Sequence, residues 1–127
     1  MNGYDAEKFE ADALTGDWRA AVAVLSRSNL RPEVLAALMT EDAHLEVVLS
    51  VIGRQDVTPE RLAWAATFDN AQILGRVVSN PKTPTPLIRE IRDRVAGRGS
   101  DIWVLLREYA DRVLDRIDRE SGLHGGR

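Results

Sequence analysis

The chain repeats one short pattern three times: a turn, a proline, and a leucine three residues after the proline. The three segments are 29–35, 56–62 and 81–87, and they are marked by Pro32, Pro59 and Pro84. Self-similarity at a period of roughly 25 residues is typical of proteins built from stacked structural repeats rather than around one globular core.

Each proline is expected to begin a helix, because the missing N–H of a proline is unpaired anyway in a first helical turn. The apolar positions that follow have helical spacing and include Leu35, Leu62 and Leu87. Upstream of each proline, and once more near the C-terminus, an aspartate precedes another apolar run. Aspartate in that position is typical of a helix N-cap, so we prefer capping to a cation-binding acidic row. These aspartates are Asp17, Asp42, Asp69 and Asp101.

The resulting repeat is a helix, a tight turn and a second helix, and neither helix can bury its apolar stripe without a neighbouring repeat. We therefore predict an all-α fold: an α-solenoid of about three short helical-pair repeats with a capping helix at each end. The single domain divides into an N-terminal cap (1–14), the repeats (15–98), a C-terminal helix (99–120) and a flexible tail (121–127). The predicted buried stripe of the C-terminal helix is Ile102, Leu106, Tyr109, Val113 and Ile117.

Composition excludes several classes of protein. The content of 44% hydrophobic and 29% charged residues is typical of a folded domain, and the absence of cysteine excludes disulfides, thiolate metal sites and a cysteine nucleophile. The net charge of −3 opposes a nucleic-acid footprint over the whole chain. Residues 1–50 carry nine acidic side chains against four basic ones. With no apolar stretch near 18 residues and no export signal, we expect a cytoplasmic protein with no membrane span.

The segment 78–84, Val-Ser-Asn-Pro-Lys-Thr-Pro, followed by Leu87 and Ile88, resembles the Asn-Pro-x-Thr-Pro turn of bacterial leucine-rich-repeat-variant and short HEAT-like repeats. The resemblance extends over about residues 15–95, with the full turn present once. Because these families are mostly binding scaffolds, it implies interaction rather than catalysis. A leucine-rich-repeat-variant protein holds an iron–sulfur cluster on cysteines, which this chain lacks, so that cofactor does not carry over.

Catalytic and metal-binding patterns are weak. His44 and His124 are far apart and lack metal-ligand spacing, and residues 97–100, Gly-Arg-Gly-Ser, lack both the Gly-Lys-Ser/Thr ending and the preceding strand of a phosphate loop. No nucleophile stands beside a general base in a recognisable arrangement. We expect no enzyme activity, no metal and no cofactor.

The position most indicative of a partner is Trp64, five residues after its proline in a column that the helical pattern turns away from the core. Arg61 lies one turn before Trp64, and the positions equivalent to Trp64 in the other two repeats hold Ala37 and Arg89. Aromatic and arginine side chains are enriched among binding hot spots, so we predict a partner-binding surface at Trp64, Arg61 and Arg89. The other interpretation stays open: a small neighbour, Ala65 or Ala37, leaves room for Trp64 to pack between repeats.

These observations favour a non-catalytic scaffold that mediates protein–protein interaction. A nucleic-acid-binding HEAT-like repeat protein is the alternative, which the resemblance implies because some HEAT-like proteins act in DNA repair. An arginine cluster between positions 89 and 98 suits an acidic partner. Glu90 and Asp93 are interspersed in that cluster, so we prefer to interpret it as a solvated helix face. Its arginines are Arg89, Arg92, Arg94 and Arg98.

Overall fold

A computed structural model describes residues 10–124, and this part of the chain contains helices and no strand, which confirms the all-α prediction. The chain divides into two compact units, an N-terminal unit (Met1–Val57) and a C-terminal unit (Thr58–Arg127). The N-terminal unit contains the helical residues 10–14 (α1), Trp18–Leu25 (α2), Pro32–Leu38 (α3) and Leu45–Ile52 (α4). The C-terminal unit contains Pro59–Ala65 (α5), Ala71–Ser79 (α6), Thr85–Val95 (α7) and Asp101–His124 (α8).

The marker prolines lie where helices begin. α3 starts at Pro32 and α5 at Pro59, as predicted, whereas Pro84 is the N-cap of α7, one residue before the helix. The turn before Pro84 is closed by two side chains. Asn80 accepts a hydrogen bond from the Lys82 N–H (2.9 Å), and the buried Thr83 hydroxyl donates to the Val77 carbonyl (2.5 Å).

Capping is correct at one of the four predicted aspartates and wrong at the other three. Asp17 accepts hydrogen bonds from the first turn of α2. Asp42 is not a cap, because α4 begins only at Leu45 and His44 Nδ1 accepts from the Glu46 N–H (3.1 Å).

The third expected cap is displaced by one residue. Asn70 Oδ1 accepts from the Ile73 N–H (3.1 Å) at the start of α6, and Asp69 instead forms an ion pair with Arg98 (2.8 Å). Asp101 is the first residue of α8, where its negative charge interacts favourably with the positive end of the helix dipole.

The core of the N-terminal unit forms where α2 packs against α4, with α3 contributing its own buried face. Helix α1 is tied to the segment after α2 by ion pairs from Glu10 to Arg27 (3.0 Å) and to Arg31. Arg31, and secondly Arg27, hold the pKa of Glu10 below its ordinary value. The buried side chains of the three helices are Ala20, Ala21, Val24, Leu25, Val34, Leu35, Leu38, Val47, Val48, Val51 and Ile52.

Arg54 joins the C-terminal ends of α2 and α4. Its side chain is 6% exposed, and one guanidinium nitrogen donates to the carbonyls of Leu25 (2.6 Å) and Arg27 (2.8 Å). The remaining nitrogens donate to both carboxylate oxygens of Asp56 (2.8 and 3.0 Å). Arg54 therefore satisfies carbonyls that have no partner at the end of a helix.

In the C-terminal unit α8 packs against both α6 and α7, and α5 and α7 each contact α6. Leu62 of α5 is fully buried. The buried face of α8 consists of Leu106, Ala110, Val113 and Leu114. The prediction for Ile102 is wrong: it is 57% exposed, because at about 100° per residue it falls at the edge of that face. The helix also continues to His124, past the end expected at residue 120.

We expect Leu62→Ala to lower the free energy of unfolding of the C-terminal unit by about 2–5 kcal/mol, because it leaves a cavity in a fully buried position. Leu105→Ala is the matched control, since Leu105 lies in the same unit and is 63% exposed; its effect should stay within about 0.5 kcal/mol. Urea denaturation followed by circular dichroism measures both. Equal losses for the two variants would show that Leu62 has no special role in the core.

We expect Arg54→Met to destabilise the N-terminal unit by about 2 kcal/mol or more, because the aliphatic stem is kept while the Leu25 and Arg27 carbonyls lose a charged donor. Arg76→Met, at an exposed position of α6, is the control and should change stability by less than about 0.5 kcal/mol. Thermal denaturation of the two variants gives the comparison, and an unchanged midpoint for Arg54→Met would contradict the role of Arg54.

Candidate protein-binding surfaces

The three residues predicted to bind a partner all lie in the C-terminal unit. Arg61 and Trp64 are one turn apart on α5 and both are half-buried, whereas Arg89 is exposed on α7. The Trp64 ring packs edge-on against Phe68, with ring centroids 5.3 Å apart and an interplanar angle of 82°. Trp64 thus has a packing role within the C-terminal unit while part of its side chain stays accessible.

The arginine cluster between positions 89 and 98 is largely engaged within the chain. Arg94 donates to the Ala66 carbonyl at the end of α5 (2.7 Å), while Arg98 pairs with Asp69 and lies over the Trp103 ring (4.3 Å). Arg92 forms ion pairs with Asp93 (3.2 Å) and Asp111 (3.6 Å). The arginines at 92, 94 and 98 therefore join helices of their own unit.

A surface that the sequence analysis missed lies on α8. Ile102 and Leu105 are 57% and 63% exposed, and one turn further on Tyr109 is half-buried with the Arg112 guanidinium 5.9 Å from its ring. We call these four residues the α8 edge. Apolar residues occur around much of α8, so periodicity alone did not indicate which of them α6 and α7 would cover.

The N-terminal unit has a groove of about 700 Å³ at the C-terminal ends of α2 and α4. Its charged lining groups already have partners: Arg27 pairs with Glu10, and Arg54 pairs with Asp56. The groove therefore offers a ligand few unsatisfied charges.

Within residues 10–124, no group of three His, Asp or Glu side chains is arranged to hold a metal ion. His44 serves as a helix cap, and the side chain of His124 lies outside the described part. The segment 97–100 connects α7 to α8, and Gly97 has φ of +89°, a conformation that favours glycine.

No helix in the described range has the length and apolarity required to cross a bilayer.

Comparison with protein-family models, with curated proteins and with solved structures finds no match to this chain. The resemblance to leucine-rich-repeat-variant and short HEAT-like repeats therefore stays a prediction based on the turn at 78–84.

The Trp64–Phe68 pair can be tested by a double-mutant cycle. We expect Trp64→Ala to lower the free energy of unfolding of the C-terminal unit by about 1–3 kcal/mol, since the ring is only half-buried. The cycle with Phe68→Ala should give a coupling of about 0.5–1.5 kcal/mol, the usual range for an edge-on aromatic pair. Additive effects in urea denaturation would show that the two rings do not stabilise each other.

Proposed function

We propose that this chain is a non-catalytic helical-repeat module that binds another protein. The repeat arrangement is supported by the N-terminal unit, where the first helices of two successive pairs, α2 and α4, pack together. Two equivalent arginines, 27 residues apart, each bond back to the preceding helix region: Arg27 to Glu10 of α1, and Arg54 to the end of α2. Contacts that recur between neighbouring units at the repeat spacing are typical of stacked repeats.

The observation that carries the binding function is the α8 edge. Ile102 and Leu105 expose more than half of their surface beside the buried face that α8 packs against α6 and α7. Contiguous exposed apolar side chains mark interaction surfaces, and the neighbouring Tyr109 and Arg112 are residue types enriched in binding hot spots. The exposed aliphatic side chains of this surface fit the side chains of a protein partner, whereas only Arg112 could meet a phosphate.

Two features weigh against the nucleic-acid alternative. The C-terminal unit, which holds the arginine cluster, contains twelve basic residues against ten acidic ones, a net charge of only +2. Three arginines of the cluster, Arg92, Arg94 and Arg98, are engaged by acceptors of the same unit. Binding to nucleic acid needs several cations directed at phosphates, so the protein-binding function is the better supported of the two.

The test is co-purification of a partner with the tagged natural chain and with two variants. Leu105→Gln replaces the most exposed apolar side chain of the α8 edge, and Glu108→Gln introduces the same residue at a neighbouring exposed position as the control. We expect Leu105→Gln to weaken the partner by about 2 kcal/mol or more, with both variants as stable as the natural chain. Equal retention of the partner by both variants would contradict the assignment of this surface.

Salt dependence separates the two kinds of partner. A protein held mainly by apolar contacts should remain bound when salt rises from about 50 to 200 mM, whereas a nucleic acid held by phosphate contacts should lose most of its affinity in that range. Steep loss of the captured partner, accompanied by nuclease sensitivity, would favour the nucleic-acid alternative.

A further inference from the structure

The N-terminal unit contains a second cavity, of about 480 Å³, on the side of the helices where α2 and α4 begin. The end of α1, the start of α2, the end of α3 and the turn before α4 all contribute to its lining. Leu38 and Val47 are buried in its wall, whereas Leu14, also in the lining, is 50% exposed. Such a space suits one apolar side chain of a ligand.

One wall of the cavity is made rigid by an aromatic pair. The rings of Trp18 and His44 stack with centroids 4.2 Å apart and an interplanar angle of 4°. His44 is further fixed by its hydrogen bond from the Glu46 N–H. A wall that is already ordered reduces the entropy lost when a ligand binds.

The surroundings of the cavity are acidic. Asp42 lines it, and Glu41 and Glu46 are adjacent in sequence to lining residues. None of these three carboxylates forms an ion pair with another residue in the described part of the chain. Three of the four arginines of this unit are committed elsewhere: Arg27 and Arg31 pair with Glu10, and Arg54 pairs with Asp56. The fourth, Arg19, lies over the Trp18 ring, 4.7 Å from its centroid, so the rim holds one cation against three carboxylates.

The whole unit has the same bias, with ten acidic residues against five basic ones, a net charge of −5. A field of this sign attracts cationic ligands and repels nucleic acids and anionic lipids.

We propose that this cavity is a docking site for a basic peptide segment of a partner protein, in which one apolar side chain enters the cavity and flanking lysines or arginines meet the acidic rim. The apolar wall suits the first feature, and the three carboxylates, set against the single cation Arg19, suit the second. This site belongs to the N-terminal unit and its residues are distinct from the α8 edge, so each surface can fail its test without affecting the test of the other.

The experiment uses the full chain and fluorescein-labelled nonapeptides as probes. One set carries a central Leu or Phe flanked on each side by two Lys or Arg; the second set has Ala at the centre, and the third replaces the basic residues by Glu. Fluorescence anisotropy should show that the first set binds at least about tenfold more tightly than the other two. Equal affinity for the first and second sets, or for the first and third, would overturn the proposal.

Variants locate the site. Ala37, exposed on α3, lines the cavity, and its neighbour Ala36 is exposed but is not among the lining residues. We expect Ala37→Phe to fill the cavity and weaken the basic peptides about tenfold or more, while Ala36→Phe leaves their affinity unchanged. Asp42→Asn should weaken them about two- to fivefold and reduce the salt dependence of binding.

A second measurement needs no substitution. In the natural chain, amide chemical-shift changes on adding the basic peptides should cluster at the cavity lining, including Leu14, Ala37 and Ala43. Shift changes confined to other parts of the chain, or Ala37→Phe and Ala36→Phe behaving alike, would overturn the proposal.

Discussion

Every helix between Trp18 and Val95 is too short to be stable by itself. These six helices have 7–11 residues, and an isolated helix in water is marginal below about 12–15 residues. Their aliphatic faces must therefore be covered by neighbouring helices, and the buried residues are mainly Val, Leu, Ile and Ala. The rest of the structure follows from this requirement, since each short helix exists only with its neighbours in place.

Short helices also have many ends, and each end leaves backbone groups without a partner. The chain satisfies them with two kinds of side chain. At helix starts these are Asp17, His44, Thr58 and Asn70, which accept from backbone N–H groups. At helix C-terminal ends, arginines from elsewhere in the same unit donate to the carbonyls: Arg54 to Leu25, and Arg94 to Ala66. This use of arginine for internal bonding explains why so basic a segment as 89–98 presents few unpaired cations.

Local features were predictable from the sequence, and features that depend on tertiary packing were not. The preference of proline for a first helical turn is local, and the predicted helix start is correct at Pro32 and Pro59 and one residue early at Pro84. Caps were less predictable because the choice between Asp69 and Asn70 depends on the ion pair of Asp69 with Arg98, 29 residues away. Likewise Ile102 was expected to be buried, since its periodicity matches the core face and only the packing against α6 and α7 decides where that face ends.

The same distinction applies to the candidate binding sites. Trp64 was noticeable in the sequence because the other two predicted repeats have Ala37 and Arg89 at the same position, but its contact with Phe68 requires the folded chain. The cavity beside Trp18 and His44 combines four segments between residues 13 and 47, so no local motif indicates it. The excess of acidic residues in positions 1–50 predicted a negative potential in this part of the chain, but it did not indicate where the cavity lies.

The dependence of these helices on their neighbours is tested most directly by a peptide spanning residues 71–95, which contains α6 and α7 without α5 or α8. In the full chain both helices are formed, and α8 packs against each of them. If packing sustains the helices, circular dichroism of the isolated peptide in water should show mostly unfolded chain. Helicity close to that of the same residues in the intact protein would contradict this explanation, and would mean that intrinsic propensity is sufficient to form the pair.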